Sequence, residues 1–386
     1  AVMLGFRFRV ASALFTLGFA YLELVDVTNY LNHYYLAALI SLLLTLSPAH
    51  RAWSLDALVR PESARDTVST FWLYLLRFQV GVVYVFAGMA KAHADWLVHA
   101  QPLRIWLAGR TDTPLLGELF VQPWAPLAMS WAGFVFDSTI VVWLSWRRTR
   151  PFAYVAVLAF HALTALLFPI GMFPVIMTLA ALVFFEPNWP RRVVAAAARA
   201  LSSLGVRVAR PSVARPGVAD PALASSGVRR LGLALAGAFV LFELAMPLRF
   251  ALYGGNVRWH EQGMRFSWRV MVREKNGSVT FVVRDKGSGR IWQVSPARYL
   301  TEAQEREMSG QPDLILELAH HVRDDFARRV GGPVEVRVDA LVSLNGRRLA
   351  PIIDPNVDLA TVSDGLARAR WILPAPSDPP PRLKSI

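Results

Sequence analysis

Seven apolar runs constrain the fold of this chain more than any other feature of its sequence. They are Phe8–Val27, Tyr35–Leu46, Thr70–Ala90, Pro126–Trp146, Phe152–Pro169, Phe173–Phe185 and Leu231–Pro247. Several approach the roughly 20 residues that an α-helix needs to cross the hydrocarbon of a bilayer. Tyr35–Leu46 and Phe173–Phe185 are shorter, so we expect them to be tilted, re-entrant or buried between neighbours. The runs predict a polytopic α-helical membrane protein.

The composition agrees with this interpretation. Of the 386 residues, 54% are hydrophobic and 18% are charged, whereas ordinary soluble domains carry about 25% charged residues. The 13 tryptophans suit a protein with two membrane–water interfaces. Cysteine is absent, which excludes disulfides, thiolate metal sites and a cysteine nucleophile. An Ala- and Arg-rich chain without cysteine favours a bacterial source, and no cleavable signal peptide is expected at residue 1.

The net charge of +13 raises nucleic-acid binding as an alternative. The arginines, however, cluster at the ends of the apolar runs, as the positive-inside rule expects of cytoplasmic loops. No DNA- or RNA-binding motif accompanies them. We therefore expect a lipid bilayer and no nucleic acid as a partner.

The positive charges also predict a topology. Arg147–Arg150 and the basic stretch Arg191–Arg230 lie on one face, which the positive-inside rule makes cytoplasmic. Counting runs from these loops places Lys91 and His33 on the opposite face, together with everything after Pro247. In a bacterium this predicts an inner-membrane protein with a periplasmic C-terminal domain.

Changes in composition predict four segments. Residues 1–191 form a transmembrane helical core, residues 192–230 a flexible cytoplasmic linker rich in Ala, Arg, Pro and Ser, and residues 231–250 the last transmembrane helix. Residues 251–386 are expected to form an extramembrane α+β domain, so the fold class is a polytopic helical bundle followed by an α+β domain.

Short runs in which apolar and polar residues alternate predict β-strands in that last domain. Ser278–Arg284 and Gly289–Val294 flank the turn-like Asp285–Ser288, which indicates a β-hairpin. Val334–Val342 is a further strand, and Leu314–Phe326 has the apolar spacing of a helix. The proline-rich stretch 374–381 is expected to be either an ordered wrap or a loose tail.

Lys91 follows an apolar span and is the first residue that could carry chemistry. A lysine at this depth either snorkels to the interface as an anchor or is held as a neutral amine that can act as a base. His161 lies midway along an apolar run, where a functional role and a structural hydrogen bond between helices are both open. His33 opens the second run.

Further polar groups lie within or at the edges of the apolar runs. They are Asp26, Arg77, Gln79 and Asp137. So many polar groups in an apolar core predict a polar interior cavity or a network of buried pairs. Motifs of soluble enzymes such as the P-loop, HExxH and GxSxG are absent. His320 and His321 with Asp324 and Asp325 are interpreted as a solvated helix face rather than metal ligands.

Several motifs, in order along the chain, resemble those of the vitamin K-dependent γ-glutamyl carboxylase family with its HTTM-type transmembrane domain. They are Thr28–Leu36 (TNYLNHYYL), Phe86–Trp96 (FAGMAKAHADW), Phe160–His161 with Phe168–Phe173 (FPIGMF), Glu186–Arg191 (EPNWPR), Arg265–Met271 (RFSWRVM) and Asp354–Asp358 (DPNVD). The likeness runs from about residue 7 to residue 372. The family's first helix is then expected to precede residue 1.

The resemblance implies a lyase-type enzyme that is also an epoxidase. In the family, a lysine in the motif matched by Lys91 deprotonates vitamin K hydroquinone, and the anion reacts with O2 to give a strong base and finally the 2,3-epoxide. That base removes a γ-proton from a peptide glutamate, and the carbanion adds CO2. The implied co-substrates are therefore vitamin K hydroquinone, O2 and CO2, without a metal, and the implied partner is a glutamate-containing peptide.

The resemblance also assigns roles to residues of this sequence. It makes Lys91, His33 and His161 catalytic and places Phe173 and Met177 in the quinone pocket. We add Arg77 and Gln79 to that pocket as polar groups of the membrane core. The glutamate-binding region would contain Trp268, Arg269 and Arg306, because a carboxylate requires cations and arginine suits it best.

Departures from the family pattern leave alternatives open. Met264 and Arg273 stand where the animal enzyme has a Tyr and a His in its glutamate region, and the cysteine pair of that enzyme is absent. One alternative is a quinone-oxygenating homologue with a different carboxylation substrate or none. The other is a non-enzymatic membrane binding protein of the same fold.

Overall fold

The structure, a computed structural model, describes residues 1–204 and 226–381. The helices before the stretch 205–225 are α1 Phe8–Val25, α2 Asn32–Leu46, α3 Leu55–Val59, α4 Thr70–Lys91, α5 Ala94–Leu97, α6 Leu103–Ala108, α7 Gly117–Val121, α8 Ala125–Ser145, α9 Arg150–Leu167, α10 Phe173–Ala180 and α11 Trp189–Ser203. After it come α12 Ser226–Leu248, α13 Val257–His260, α14 Glu302–Met308 and α15 Pro312–Val330. The strands are β1 Lys275–Asp285, β2 Ile291–Val294, β3 Val334–Leu344 and β4 Ala350–Pro351.

Five of the described helices are long and apolar enough to cross a membrane. They are α1, α4, α8, α9 and the stretch Arg229–Leu252 around α12. Helix α2 and the stretch Phe173–Phe184, in which α10 continues as a 3-10 turn, are apolar but shorter. All seven coincide with the predicted runs, and the polytopic fold class is confirmed. Helix α4 is 61% buried, against 11–28% for the other four, so protein rather than lipid surrounds it.

The chain forms two compact units. The first comprises Ala1–Val85 and Asp137–Leu244, and the second comprises Phe86–Phe136 and Ala245–Ile386. The last turns of α4 therefore belong to the same unit as the C-terminal α+β part of the chain. The four segment boundaries predicted from composition stay a prediction.

Basic residues that predicted the cytoplasmic face lie together in the first unit. Arg147 and Arg192 both pair with Glu186, at 3.1 and 2.5 Å. The loop after α8 and the start of α11 are thus at one end of the unit. This agrees with the predicted topology, in which successive membrane-spanning runs cross in opposite directions. Because Arg147 and Arg192 are largely exposed, these ion pairs are screened by solvent and contribute little to stability.

Helix α11 differs from the irregular linker that composition predicted. Its sequence alternates apolar Val193, Val194 and Leu201 with Arg191 and Arg199, and alanine and arginine both have high helix propensity. The apolar residues are exposed on one face. Of the predicted linker, residues 192–203 belong to α11 and residues 226–230 belong to α12, while residues 205–225 lie outside the described residues.

The second unit contains a four-stranded antiparallel sheet in the order β2-β1-β3-β4. Phe281 on β1 pairs with Val294 on β2 and with Val338 on β3. Alternate residues of β3 are buried, as expected of a sheet with one covered face, and α15 packs against it. The predicted hairpin, third strand and helix are confirmed.

The proline-rich stretch 374–381 has no regular secondary structure but is attached to the unit. Arg347 Nε, just after β3, donates to the Asp378 carbonyl oxygen at 2.7 Å. A little earlier in the chain, Trp259 Nε1 donates to the Leu373 carbonyl oxygen at 2.8 Å. These contacts favour the ordered wrap over the loose tail.

Candidate functional site

Lys91 is the last residue of α4 and is only 5% exposed. Its Nζ lies 3.3 Å from the Ala87 carbonyl oxygen and 3.5 Å from the Val270 carbonyl oxygen. The amine is also 5.3 Å from the centre of the Trp96 ring. Lys91 is thus enclosed by protein.

The segment after Lys91 is held rigidly. The His93 ring caps the short helix α5 by accepting a hydrogen bond from the Trp96 backbone N–H. The Trp96 indole donates to the Ser130 carbonyl oxygen at 2.8 Å, and the Ser130 hydroxyl donates back to the Trp96 carbonyl oxygen at 2.5 Å. This reciprocal pair fixes the aromatic wall beside the amine.

The Arg265–Met271 segment has an unusual backbone. Phe266, Trp268 and Met271 have φ values of 55°, 56° and 54°, in the left-handed region that bulky residues rarely adopt. Gly263, with a φ of 85°, precedes them, and a Cβ there would lie 2.8 Å from the Phe250 backbone. Strain of this kind costs on the order of 1–3 kcal/mol per residue and is concentrated at functional sites.

An apolar cluster joins this segment to the end of α4. Ala90, Val257, Met264 and Val272 are buried together, with Phe250 packed against them. Trp268 is fully buried, and the Arg269 guanidinium lies 4.0 Å from the centre of the Phe250 ring. The structure therefore brings Lys91, Trp268 and Arg269 into one region of the second unit.

Two candidate histidines meet in the first unit. His33 opens α2, His161 lies within α9, and each ring centroid is 5.9 Å from that of Phe173, the first residue of α10. Met177, one turn further along α10, is fully buried. Tyr84 completes the group, because its hydroxyl is 3.1 Å from His161 Nε2. An apolar, aromatic lining with a few hydrogen-bonding atoms suits a quinone ring.

Gln79 forms a buried polar cluster with two residues that the sequence did not single out. Its Nε2 donates to Glu243 Oε2 at 3.3 Å, and the Tyr35 hydroxyl donates to Glu243 Oε1 at 2.7 Å. Glu243 is 1% exposed although it lies in an apolar helix. The cluster is part of the polar interior that the buried polar groups predicted.

Replacing Glu243 with leucine is expected to destabilise the protein by about 1–3 kcal/mol, because the fully buried Gln79 amide would lose its acceptor. Glu243→Gln, which keeps a carbonyl acceptor, should cost less. Thermal unfolding of both variants in detergent measures the difference. Equal melting temperatures for Glu243→Leu and the wild type would contradict a structural role for this cluster.

Arg77 and Arg306, two arginines predicted to belong to the site, contact other parts of the chain. Arg77 donates to the carbonyl oxygens of Val183, Phe184 and Phe185 at 3.0–3.2 Å, which completes the hydrogen bonding at the end of the helix that continues α10. Arg306 is exposed on α14 and pairs with Glu302 at 3.0 Å. Their proposed contacts with quinone and glutamate stay predictions, and no described contact joins either residue to the other candidates.

His320, Asp324 and Asp325 each contact a different part of the chain. His320 Nε2 is 2.8 Å from the Val362 carbonyl oxygen, Asp324 pairs with Arg323, and Asp325 accepts from Tyr299. No cluster of potential metal ligands is found among residues 1–204 and 226–381.

Glu243 is a buried polar residue that sequence reasoning missed. It was detectable, because it is the only charged residue in the run Leu231–Pro247.

Comparison with known families agrees with this geometry. Residues 1–189 match the model of the HTTM domain. Residues 228–378 match the model of the vitamin K-dependent gamma-carboxylase lumenal domain. No solved structure matches the chain significantly. Lys91 lies within the first matched region and Trp268 within the second, in the same order as the sequence motifs. The chain therefore belongs to the vitamin K-dependent γ-carboxylase family.

Proposed function

We propose that this protein couples the epoxidation of vitamin K hydroquinone to the γ-carboxylation of peptide glutamate, with Lys91 as the base that accepts the hydroquinone proton. The observation that carries the proposal is the enclosed Lys91 amine beside the Arg265–Met271 segment, in a chain whose two parts both match the family. Hydroquinone and O2 would supply the strong base that removes the glutamate proton.

The surroundings of Lys91 support a proton-accepting role. The Lys91 side chain is buried, and the carbonyl oxygens of Ala87 and Val270 can accept hydrogen bonds from its amine. Enclosure by protein also keeps water from a strong base formed nearby.

The first unit supplies a surface on which a quinone ring would fit. The rings of His33, Phe173 and His161 offer aromatic contacts, and buried Met177 lies one turn along α10 from Phe173. His161 and Tyr84 carry atoms that can hydrogen-bond to ring oxygens. We propose His33 and His161 as residues that bind and orient the reactants.

The test is an assay of the purified chain in lipid nanodiscs with vitamin K hydroquinone, bicarbonate, air and a short blocked peptide with adjacent glutamates. We expect formation of the 2,3-epoxide, measured by chromatography, and a gain of one CO2 in the peptide, measured by mass spectrometry. Absence of epoxide under conditions in which the protein is folded would overturn the proposal.

One observation favours the second candidate, a homologue that oxygenates the quinone without carboxylating glutamate. Met264 lies in the apolar cluster, and Arg273 pairs with Glu261 at 3.0 Å, so neither residue reproduces the chemistry of the Tyr and His of the animal enzyme. The same assay separates the candidates, because this one predicts epoxide without a heavier peptide.

We also propose a location. The basic loops around Arg147 and Arg192 favour the cytoplasmic side for that end of the first unit. The C-terminal α+β part would then be periplasmic in a bacterial inner membrane, where glutamate-containing peptides can reach it.

A further inference from the structure

Helix α11 has an apolar stripe that no described residue covers. Successive residues of an α-helix are about 100° apart, so Val193, Val194, Ala197 and Leu201 fall within an arc of about 100°. All four are exposed, and no residue of the helix is buried. A helix of a globular domain packs such a stripe against the core, whereas α11 presents it outward.

The opposite side of α11 is basic. Arg191, Arg192 and Arg199 fall with Ser202 and Ser203 on the half of the helix that faces away from the stripe. The helix contains no acidic residue. Arg199 forms no ion pair with a residue that the structure describes, so its charge is available to a partner. An apolar stripe opposite a basic face is typical of helices that lie on a membrane surface.

The start of α11 lies beside the ends of membrane-spanning helices in the first unit. Arg191 pairs with Asp66, just before α4, at 2.5 Å. Arg192 pairs with Glu186 at 2.5 Å, and Glu186 also pairs with Arg147, just after α8. Because α4 and α8 are apolar enough to cross the bilayer, their ends mark its boundary. Helix α11 therefore begins at the level of the lipid headgroups.

The length of α11 indicates that it lies on the membrane rather than across it. Its 15 residues correspond to about 22 Å of helix, which is shorter than the roughly 30 Å of bilayer hydrocarbon. Arg199 lies within its last two turns, where a spanning helix would place it in hydrocarbon at high cost. An orientation along the surface satisfies both the stripe and the arginines.

We propose that α11 lies along the surface of an anionic bilayer, with Val193, Val194 and Leu201 at the boundary of the acyl chains and its arginines on lipid phosphates. The flexible stem of an arginine lets the guanidinium reach the headgroups while the stripe is buried. Anionic lipid attracts basic residues next to the membrane. The proposal depends on the membrane-spanning helices and is independent of the chemistry at Lys91.

A matched pair of labelled variants tests the orientation. The chain has no cysteine, so a single introduced cysteine can carry an environment-sensitive NBD fluorophore on the full chain in nanodiscs. Ala197→Cys places the label on the stripe, and Ala195→Cys places it on the opposite side. Both positions are exposed alanines of the same helix, so the variants differ only in the direction of the label.

In nanodiscs rich in phosphatidylglycerol, we expect lipids with a nitroxide on the acyl chain to quench the label at position 197 several-fold more than the label at position 195. Iodide in the water should do the reverse. Equal lipid quenching of the two labels would overturn the proposal. A label at position 197 that neither quencher reaches would also overturn it, because protein, either a second copy or residues 205–225, would then cover the stripe.

A second comparison tests the role of the headgroup charge. In the Ala197→Cys protein, Arg199→Gln should lower the ratio of lipid-inserted to water-exposed label by about 5-fold, the effect of one charge at an anionic leaflet. Arg348→Gln is the control, because Arg348 is exposed just after β3 in the second unit. Nanodiscs of phosphatidylcholine alone should also show less insertion. Equal insertion in both lipids, unaffected by Arg199→Gln, would overturn the preference for anionic lipid.

Discussion

Replacing Lys91 with alanine is expected to abolish formation of the quinone epoxide while the protein remains folded. General base catalysis contributes roughly 100-fold to 10,000-fold to a rate, and no other amine faces the Trp96 ring and the Val270 carbonyl oxygen in the described part of the chain. The measurement is the epoxide yield over time in nanodiscs, with thermal unfolding as a check that the variant folds.

Lys91→Arg distinguishes a base from a counter-ion. Arginine keeps the positive charge but does not lose its proton at accessible pH, so this variant should be as inactive as Lys91→Ala. Lys286→Ala is the matched control, because Lys286 is half-exposed and pairs with Asp358 on the surface of the second unit. Epoxide formation by Lys91→Arg at the wild-type rate would show that the charge, not proton transfer, matters.

Breaking the Asp95–Arg347 ion pair is expected to destabilise the protein by about 3–5 kcal/mol, because removal of one partner leaves the other charge buried. Asp95 is 5% exposed, and the pair is bidentate, at 2.7 and 2.8 Å. Asp95→Asn and Arg347→Met should therefore both lower the melting temperature. The double variant should lose less than the sum of the two.

The same pair predicts an acid dependence. Burial alone would raise the pKa of Asp95, but hydrogen bonds from Arg347 and Asn345 outweigh it and lower the pKa from 3.8 to about 2. Because the pKa of this carboxyl is lower in the folded protein than in the unfolded chain, its ionised form stabilises the folded state at pH values above the unfolded pKa. This contribution, on the order of 2 kcal/mol, should be lost as pH falls from about 4 towards 2 and should be missing in Asp95→Asn. Parallel acid unfolding curves for the two proteins would contradict the assignment.

The membrane helices were predictable because a run of about 20 apolar residues is rare outside membrane-spanning helices. All seven runs became helices, including the shorter α2 and α10. The sheet was predictable for a similar reason, since alternation and the Asp285–Ser288 turn fix the hairpin. Helix α11 was not, because the Pro and Ser that follow it obscured the helix propensity of its Ala and Arg.

The candidate site was only partly predictable. Lys91, His33 and His161 stood out as titratable groups beside or within apolar runs, and the family motifs strengthened them. The left-handed backbone at Phe266 and Trp268 has no signal in the sequence, because bulky residues disfavour it and only the surrounding packing maintains it.

The central claim is that hydroquinone oxygenation drives carbon–carbon bond formation on glutamate. The most direct measurement is incorporation of isotopically labelled CO2 into a short blocked peptide with adjacent glutamates, using the purified chain in nanodiscs. We predict label on the glutamate side chains when vitamin K hydroquinone and O2 are both present, and none when either is omitted. Label that appears without hydroquinone, or no label while epoxide accumulates, would contradict the claim.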